Sequence, residues 1–207
     1  RSEPDLYLWA GTPIVRSVAL DGRNGTVLWA KGECAGLERY WGPSTNQASA
    51  WDYDGDGKED LVFTNPDYYC VASGVNGEML AGPLFPPKIF GQPSQGLYTL
   101  PAILREEKGD PTVCLVAGHY FQAAMSIRAV PRWYALPPVG KNRCAQEGFM
   151  HLPDGAWLMG FARQNGQFAC VNVSDHAARW ELPLDASGSD AVCGDIDGDG
   201  QPEFVFG

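Results

Sequence analysis

Two stretches of the chain carry the same acidic device. The first runs Trp51-Asp52-Tyr53-Asp54-Gly55-Asp56-Gly57-Lys58-Glu59-Asp60-Leu61-Val62-Phe63. The second, 143 residues further on (52 to 195), runs Gly194-Asp195-Ile196-Asp197-Gly198-Asp199-Gly200-Gln201-Pro202-Glu203-Phe204-Val205-Phe206. In each, carboxylates fall at loop positions 1, 3, 5 and 9, glycine falls at position 6, and an apolar run of β type follows at once. Such a loop must join two strands, and its recurrence imposes a period on everything between the copies. The separation is close to three periods of about 48 residues, within the ~40–50-residue range of β-propeller blades.

Other parts of the chain obey a similar repeat. Asn24-Gly25 and Asn76-Gly77 are strong hairpin-turn signals 52 residues apart (24 to 76), and around them Val18, Gly22 and Leu28 match Cys70, Gly74 and Leu80. Short apolar, β-branched and aromatic runs bounded by turn residues predict strands over 5–10, 14–20, 26–29, 47–51, 60–64, 68–73, 78–80, 97–104, 112–117, 123–130, 132–136, 149–152, 156–162, 167–173, 179–184, 190–193 and 203–206. Turn dipeptides interrupt every period where a helical repeat would need continuity. The expected fold is therefore all-β, a β-propeller or partial propeller of four-stranded antiparallel blades over 1–207. It divides into a partial blade at 5–30, blades at 47–83, 97–137 and 149–185, and a partial blade at 190–207. A closed ring on this count would hold four blades and a surplus strand, so the expectation is a segment of a larger propeller whose remaining blades would be partners.

The composition, with 44% hydrophobic and 12% aromatic residues in 207, is ample for a core. The formal charge of −10 speaks against nucleic acid and anionic membrane surfaces, which would repel it. No apolar run approaches the roughly 20 residues of a membrane helix, so no membrane insertion is expected. The six cysteines, Cys34, Cys70, Cys114, Cys144, Cys170 and Cys193, include no C-x-x-C pair, which leaves zinc-ribbon and thioredoxin readings unsupported. Six cysteines allow 15 pairings and the sequence does not choose among them; those in Tyr69-Cys70-Val71 and Val113-Cys114-Leu115 read equally well as small core residues.

The acidic loops suit a hard cation. Calcium takes six to eight oxygens at about 2.3–2.6 Å, and carboxylates on alternate residues converge on one point without clashing. The candidate ligands are the side chains of Asp52, Asp54, Asp56 and Asp60 with the carbonyl of Lys58, and those of Asp195, Asp197, Asp199 and Glu203 with the carbonyl of Gln201. Two bound Ca²⁺ ions are expected, and they would bring the formal charge from −10 to −6. An EF-hand would need a glutamate at position 12 and flanking helices, but that position holds Phe63 in one loop and Phe206 in the other. Magnesium, which prefers a rigid octahedron with retained waters, suits so carboxylate-rich a cage less well. The bland alternative for each loop is a solvated charged turn, and the second aligned copy counts against it.

The D-x-D-G-D-G-x-x-[DE] loop followed by Leu-Val-Phe or Phe-Val-Phe-Gly resembles the FG-GAP and VCBS repeats of β-propellers, including those of integrin α-chains. The resemblance implies calcium bound between the first two strands of a blade, in an extracellular, periplasmic or cell-surface setting, at the ten positions just named. The 105–110 and 153–155 turns depart from the pattern and are expected to hold no ion. A second stretch, Ala19-Leu20-Asp21-Gly22-Arg23-Asn24-Gly25-Thr26-Val27-Leu28-Trp29, is similar to the A-x-D-x-x-T-G-x-x-x-W motif of quinoprotein (PQQ-dehydrogenase-like) propellers, with Asn24 in place of the usual Thr. There the motif implies a structural role, its Trp docking between blades.

No catalytic constellation stands out. His119, His151 and His176 are isolated, no H-E-x-x-H or G-x-S-x-G occurs, and Glu106 and Glu107 read better as a solvated turn than as a glycosidase pair. Asn24-Gly25-Thr26 and Asn172-Val173-Ser174 match the glycosylation sequon. Tyr40-Trp41-Gly42 and Tyr120-Phe121 could line a surface for a protein or carbohydrate ligand, or simply pack. The reading is a non-enzymatic calcium-stabilised propeller for adhesion or ligand binding, with a quinoprotein-like or polysaccharide-degrading enzyme domain as the alternative.

Overall fold

The structure, a computed structural model, describes residues 17–31, 48–65, 68–84, 101–117, 121–135, 147–163, 166–183 and 191–206. The predicted strand at 5–10 and the aromatic residues Tyr40, Trp41 and Tyr120 lie outside them, as do His119, Cys34 and Cys144. Among the described residues every element is a strand: β1 (Ser17–Leu20), β2 (Val27–Lys31), β3 (Ala48–Trp51), β4 (Asp60–Asn65), β5 (Tyr68–Ala72), β6 (Met79–Leu84), β7 (Ala102–Leu104) and β8 (Thr112–Ala117), followed by β9 (Phe121–Ser126), β10 (Pro131–Ala135), β11 (Gly148–His151), β12 (Trp157–Arg163), β13 (Gln167–Asn172), β14 (Ala178–Pro183), β15 (Ala191–Gly194) and β16 (Glu203–Phe206).

The strands pair in sequence order. Three four-stranded sheets, β3 to β6, β7 to β10 and β11 to β14, lie between the two-stranded sheets β1–β2 and β15–β16, and all described pairings are antiparallel. Short hairpins with no crossover keep each unit local, so each sheet is one meander built from one repeat of the sequence.

The inner strands are apolar at successive positions because both of their faces are covered. In β8, Val113 and Leu115 pack with Val62, Tyr69 and Val71 of the preceding sheet, together with Ala123, Met125 and Ile127. Cys114, on the other face, packs with Met159, Phe161, Ala169 and Val171 of the following sheet. In β13, Phe168 turns toward the last sheet and stacks 4.7 Å from Phe206 and 5.7 Å from Phe204. Each sheet is thus a wall shared by two cores. Burying a side chain of this size stabilises by about 1.5–3 kcal/mol, which makes the sheet-to-sheet joints the main source of cohesion.

One turn recurs between the third and fourth strands of each unit. The N–H of Asp21, Ser73 and Asn172 donates to the C=O five residues on, in Thr26, Glu78 and Ala177, and Ser126 makes the same closure one residue shorter, to Val130. The left-handed position is held by Gly25 and Gly77 in the first two turns, but by Ala129 and His176, each at φ 60, in the others. The predicted strand at 123–130 therefore ends at Ser126 and a separate strand starts at Pro131. No Asn-Gly signal marks this turn, whose left-handed residue is an alanine.

The second residue of the last three of these turns also receives a side chain from the sheet before it. The Trp29 indole N–H donates to Gly74 O at 2.8 Å, the Tyr69 hydroxyl to Ile127 O at 3.0 Å, and the Trp133 indole N–H to Val173 O at 2.5 Å. These three clasps are the polar counterpart of the shared cores.

Candidate metal centres

The first acidic loop joins β3 to β4 and is wound by its own carboxylates. Asp52 accepts the N–H of Gly55 at 2.8 Å on one oxygen and of Gly57 at 3.0 Å on the other, Asp54 accepts Asp56 N–H, and Asp56 accepts Lys58 N–H. Gly55 and Gly57 stand at φ +82 and +83, a left-handed conformation that a side chain would strain. Asp60 opens β4 with only 1% of its surface exposed, and its carboxylate takes the N–H of Tyr53 at 2.9 Å and of Gly74 at 3.0 Å.

The second loop, between β15 and β16, reproduces the bonds made within the first loop one for one. Asp195 accepts the N–H of Gly198 and Gly200, Asp197 that of Asp199, and Asp199 that of Gln201; Glu203 holds Ile196 N–H at 2.8 Å, as Asp60 holds Tyr53. Gly198 and Gly200 take φ +79 and +84. Two loops far apart in sequence reach one geometry because the same residue types stand at the same positions.

In the first loop, oxygens of Asp52, Asp54 and Asp60 lie within 4.8 Å of one another; in the second, those of Asp195, Asp197 and Asp199 do. Two oxygens on one calcium are separated by at most about 5 Å, twice the bond length, so either trio can meet a single ion. Asp56 falls outside the first trio and Glu203 outside the second, while Lys58 and Gln201 donate N–H groups to Asp56 and Asp199. Positions 1 and 3 converge in both loops, joined by position 9 in one and position 5 in the other. Carboxylates this close repel by about 1 kcal/mol per pair even in water and by several at the effective dielectric of a protein surface. Among the described residues no ion pair offsets that repulsion: the pairs present are Arg23–Asp21, Arg128–Asp110 and Arg132–Glu106. The donor set, all oxygen and anionic, fits a hard divalent cation.

The other two loops at this position differ in kind. Between β7 and β8, Glu106 is met by Arg132 at 3.0 Å and by the Thr112 hydroxyl, so the protein supplies its own cation. Between β11 and β12 the connection is a short turn closed by Leu152 N–H to Ala156 O, with Asp154 accepting Ala156 N–H.

The first loop is also clamped from both neighbouring sheets. Arg128 donates to Tyr53 O at 2.6 Å, with its guanidinium 3.9 Å from the centre of the Tyr53 ring, and Arg105 lies over Trp51. On the other side, Gly74 donates its N–H to Asp60 and accepts Trp29 on its carbonyl, so one residue ties the loop to the preceding sheet. A Cβ at Gly74 would sit 1.9 Å from Glu59 O, which explains why the position is glycine. The sequence showed Gly22 and Gly74 only as a matched pair in the repeat. The bonds of Gly74, to Asp60 14 residues earlier and to Trp29 in the preceding repeat, could not be read from it.

Of the histidines, His176 shares a hydrogen bond with Gln122 and packs on Trp133, and His151 packs on Trp157. Among the described cysteines, Cys70, Cys114, Cys170 and Cys193 are thiols outside any disulfide, and burial pushes the Cys114, Cys170 and Cys193 thiols above their ordinary range. No helix among the described residues is long and apolar enough to cross a membrane.

Solved structures with this arrangement include the Saccharomyces cerevisiae protein Sqt1, at a TM-score of 0.60 and 12% identity over 87% of this chain and 48% of Sqt1. The fold is a β-propeller. Quinohemoprotein alcohol dehydrogenase ADHIIG from Pseudomonas putida HK5 matches this propeller at a TM-score of 0.57 and 13% identity, over 92% of this chain and 38% of the enzyme. BBS1N, solved in complex with ARL6DN, matches at 0.51 and 12%, over 80% and 54%. The chain thus spans about half or less of each of these propellers. No family model and no curated protein sequence matches it.

Proposed function

We propose that this propeller is a calcium-stabilised binding module, placed at the cell surface, in the periplasm or outside the cell, that offers its loops to a protein or carbohydrate ligand in adhesion or recognition. The observation that carries the reading is the pair of acidic loops wound by the same internal hydrogen bonds, each with three carboxylates within 4.8 Å and no ion pair to them among the described residues. An ion in each loop, held by Asp52, Asp54 and Asp60 or by Asp195, Asp197 and Asp199, would neutralise the repulsion and stiffen a connection between two strands. Its binding free energy would add to folding stability. BBS1N in complex with ARL6DN is one propeller used for protein recognition.

The test is titration calorimetry with CaCl₂ on EDTA-treated protein, followed by thermal melting in EDTA and after calcium is restored. Two bound ions and a melting temperature that rises with calcium are expected. No heat of binding and no change in melting would overturn the reading. The quinoprotein-like alternative draws on Trp29, whose indole docks on the neighbouring blade at Gly74 as that resemblance implies, but this role is structural. A stoichiometric PQQ chromophore with dye reduction would replace the binding reading by an enzymatic one.

A further inference from the structure

Asp60 belongs to two arrangements at once. Its carboxylate is one of the three that converge within 4.8 Å in the first acidic loop, and it is also the buried anchor of the turn between β5 and β6. One oxygen takes Tyr53 N–H at 2.9 Å and the other takes Gly74 N–H at 3.0 Å. A carboxylate offers about four lone-pair sites, so two N–H donors leave room for a cation. Gly74 in turn accepts the Trp29 indole N–H at 2.8 Å, and Trp29 is 9% exposed in the preceding sheet. A line of hydrogen bonds therefore runs from the candidate ion site through Gly74 to the neighbouring blade.

The other two carboxylates of the trio are held differently. Asp52 and Asp54 take N–H groups of Gly55, Gly57 and Asp56, all within the loop itself, whereas the direction of Asp60 is fixed from the turn at Gly74. Repulsion among three anions favours turning one of them away, and the bond to Gly74 opposes that for Asp60. Two arginines stand beside the loop, and neither takes the place of an ion. Arg128 lies on the Tyr53 ring, donates to Tyr53 O and pairs with Asp110 at 3.6 Å, and Arg105 lies over Trp51.

We propose that the Trp29–Gly74 clasp between β1–β2 and β3–β6 sets the calcium affinity of the first loop, and that calcium in return tightens this blade joint. The proposal rests on the calcium reading given above. With the clasp closed, Gly74 holds the Asp60 carboxylate in place before an ion arrives, so the freedom of that ligand is already lost and binding does not have to remove it. With the clasp open, the turn is released and Asp60 must be ordered during binding. The coupling is reciprocal: the factor by which the closed clasp raises calcium affinity is the factor by which calcium favours the closed clasp. The cohesion of two neighbouring blades thus follows the calcium concentration around the protein.

The test uses two backgrounds, each with one ion site left: Asp197→Ala keeps the first loop and Asp54→Ala keeps the second. Titration calorimetry with CaCl₂ gives the affinity in each, with and without Trp29→Phe, which keeps an apolar ring and removes the indole N–H; circular dichroism checks that each protein is folded. In the Asp197→Ala background Trp29→Phe is expected to lower the affinity about fivefold, the worth of one hydrogen bond. In the Asp54→Ala background it should change nothing. A second measurement needs no substitution: calcium is expected to slow exchange of the Trp29 indole N–H with deuterium, followed by NMR in the intact chain, by about the same factor. Equal affinity with and without Trp29→Phe, or an exchange rate that calcium leaves unchanged, overturns the coupling while the calcium reading stands. An equal fall in both backgrounds would mean general loosening of the fold and also overturns it. An intact chain that binds no calcium overturns both.

Discussion

Replacing Gly74 by alanine tests the central joint of the fold. The added Cβ would lie 1.9 Å from Glu59 O, where contacts below 3.0 Å do not occur, so the turn must retreat from the acidic loop by about 1 Å. That retreat breaks two hydrogen bonds at once, the Gly74 N–H to the buried Asp60 carboxylate and the Trp29 indole to Gly74 O. A hydrogen bond to a charged group contributes about 1.5–3 kcal/mol and a neutral one about 0.5–1.5, so the loss is about 2–4 kcal/mol. For a chain of this size each kcal/mol shifts the melting temperature by about 2–4 °C, which predicts a fall of about 5–15 °C. Differential scanning calorimetry measures the fall, and the emission of Trp29 should shift as its indole is released. Gly22→Ala, the same change at the same turn position but with open space around it, is the control. A Gly74→Ala protein that melts within about 1 °C of the parent would refute the argument that Gly74 couples loop and sheet.

Asp54→Ala and Asp197→Ala should each reduce the bound calcium from two ions to one, counted by titration calorimetry, while the other loop keeps its ion; loss of both from either change would contradict two independent centres. Arg128→Ala removes the donor to Tyr53 O and the cation over its ring, and should cost about 1–2 kcal/mol in urea unfolding, whereas an unchanged midpoint would show that this clamp carries no stability. Burial holds the Cys114 thiol and the Tyr69 hydroxyl protonated well above their ordinary values of 9.0 and 10.0, at which the unfolded chain releases the protons. Their contribution is therefore whole below about pH 9 and is lost as the pH rises beyond it, so the melting temperature should fall on the alkaline side; a flat profile from about pH 8 to about pH 11 would count against burial of these groups.

Much of the architecture was legible because the repeat is written in residue types that act locally. Asn-Gly sets a hairpin without help from the rest of the chain, and the β-branched and aromatic runs between turns coincide with most strands to within a few residues. Where the left-handed turn residue is Ala129 or His176, the local signal disappears and the predicted strand at 123–130 ran through the turn. The acidic loops were legible for the same reason, since Asp52, Asp54 and Asp56 bond to N–H groups two to five residues away. What spacing could not tell is that Asp56 stays out of the first trio and Glu203 out of the second, because differences of a few ångströms in side-chain direction decide which oxygens converge.

By itself the sequence determined the β class, the blade-length period and the two acidic loops, all of which rest on contacts between residues close in the chain. Only the tertiary structure decided how the blades are joined. Trp29 reaches Gly74, Tyr69 reaches Ile127, Trp133 reaches Val173 and Arg128 reaches Tyr53 across 40 to 75 positions of sequence. Such pairings leave no periodic mark, because each needs only one donor and one carbonyl brought together by the stacking of whole sheets. The acidic loop is thus written locally, but its clamping between neighbouring blades follows from the fold.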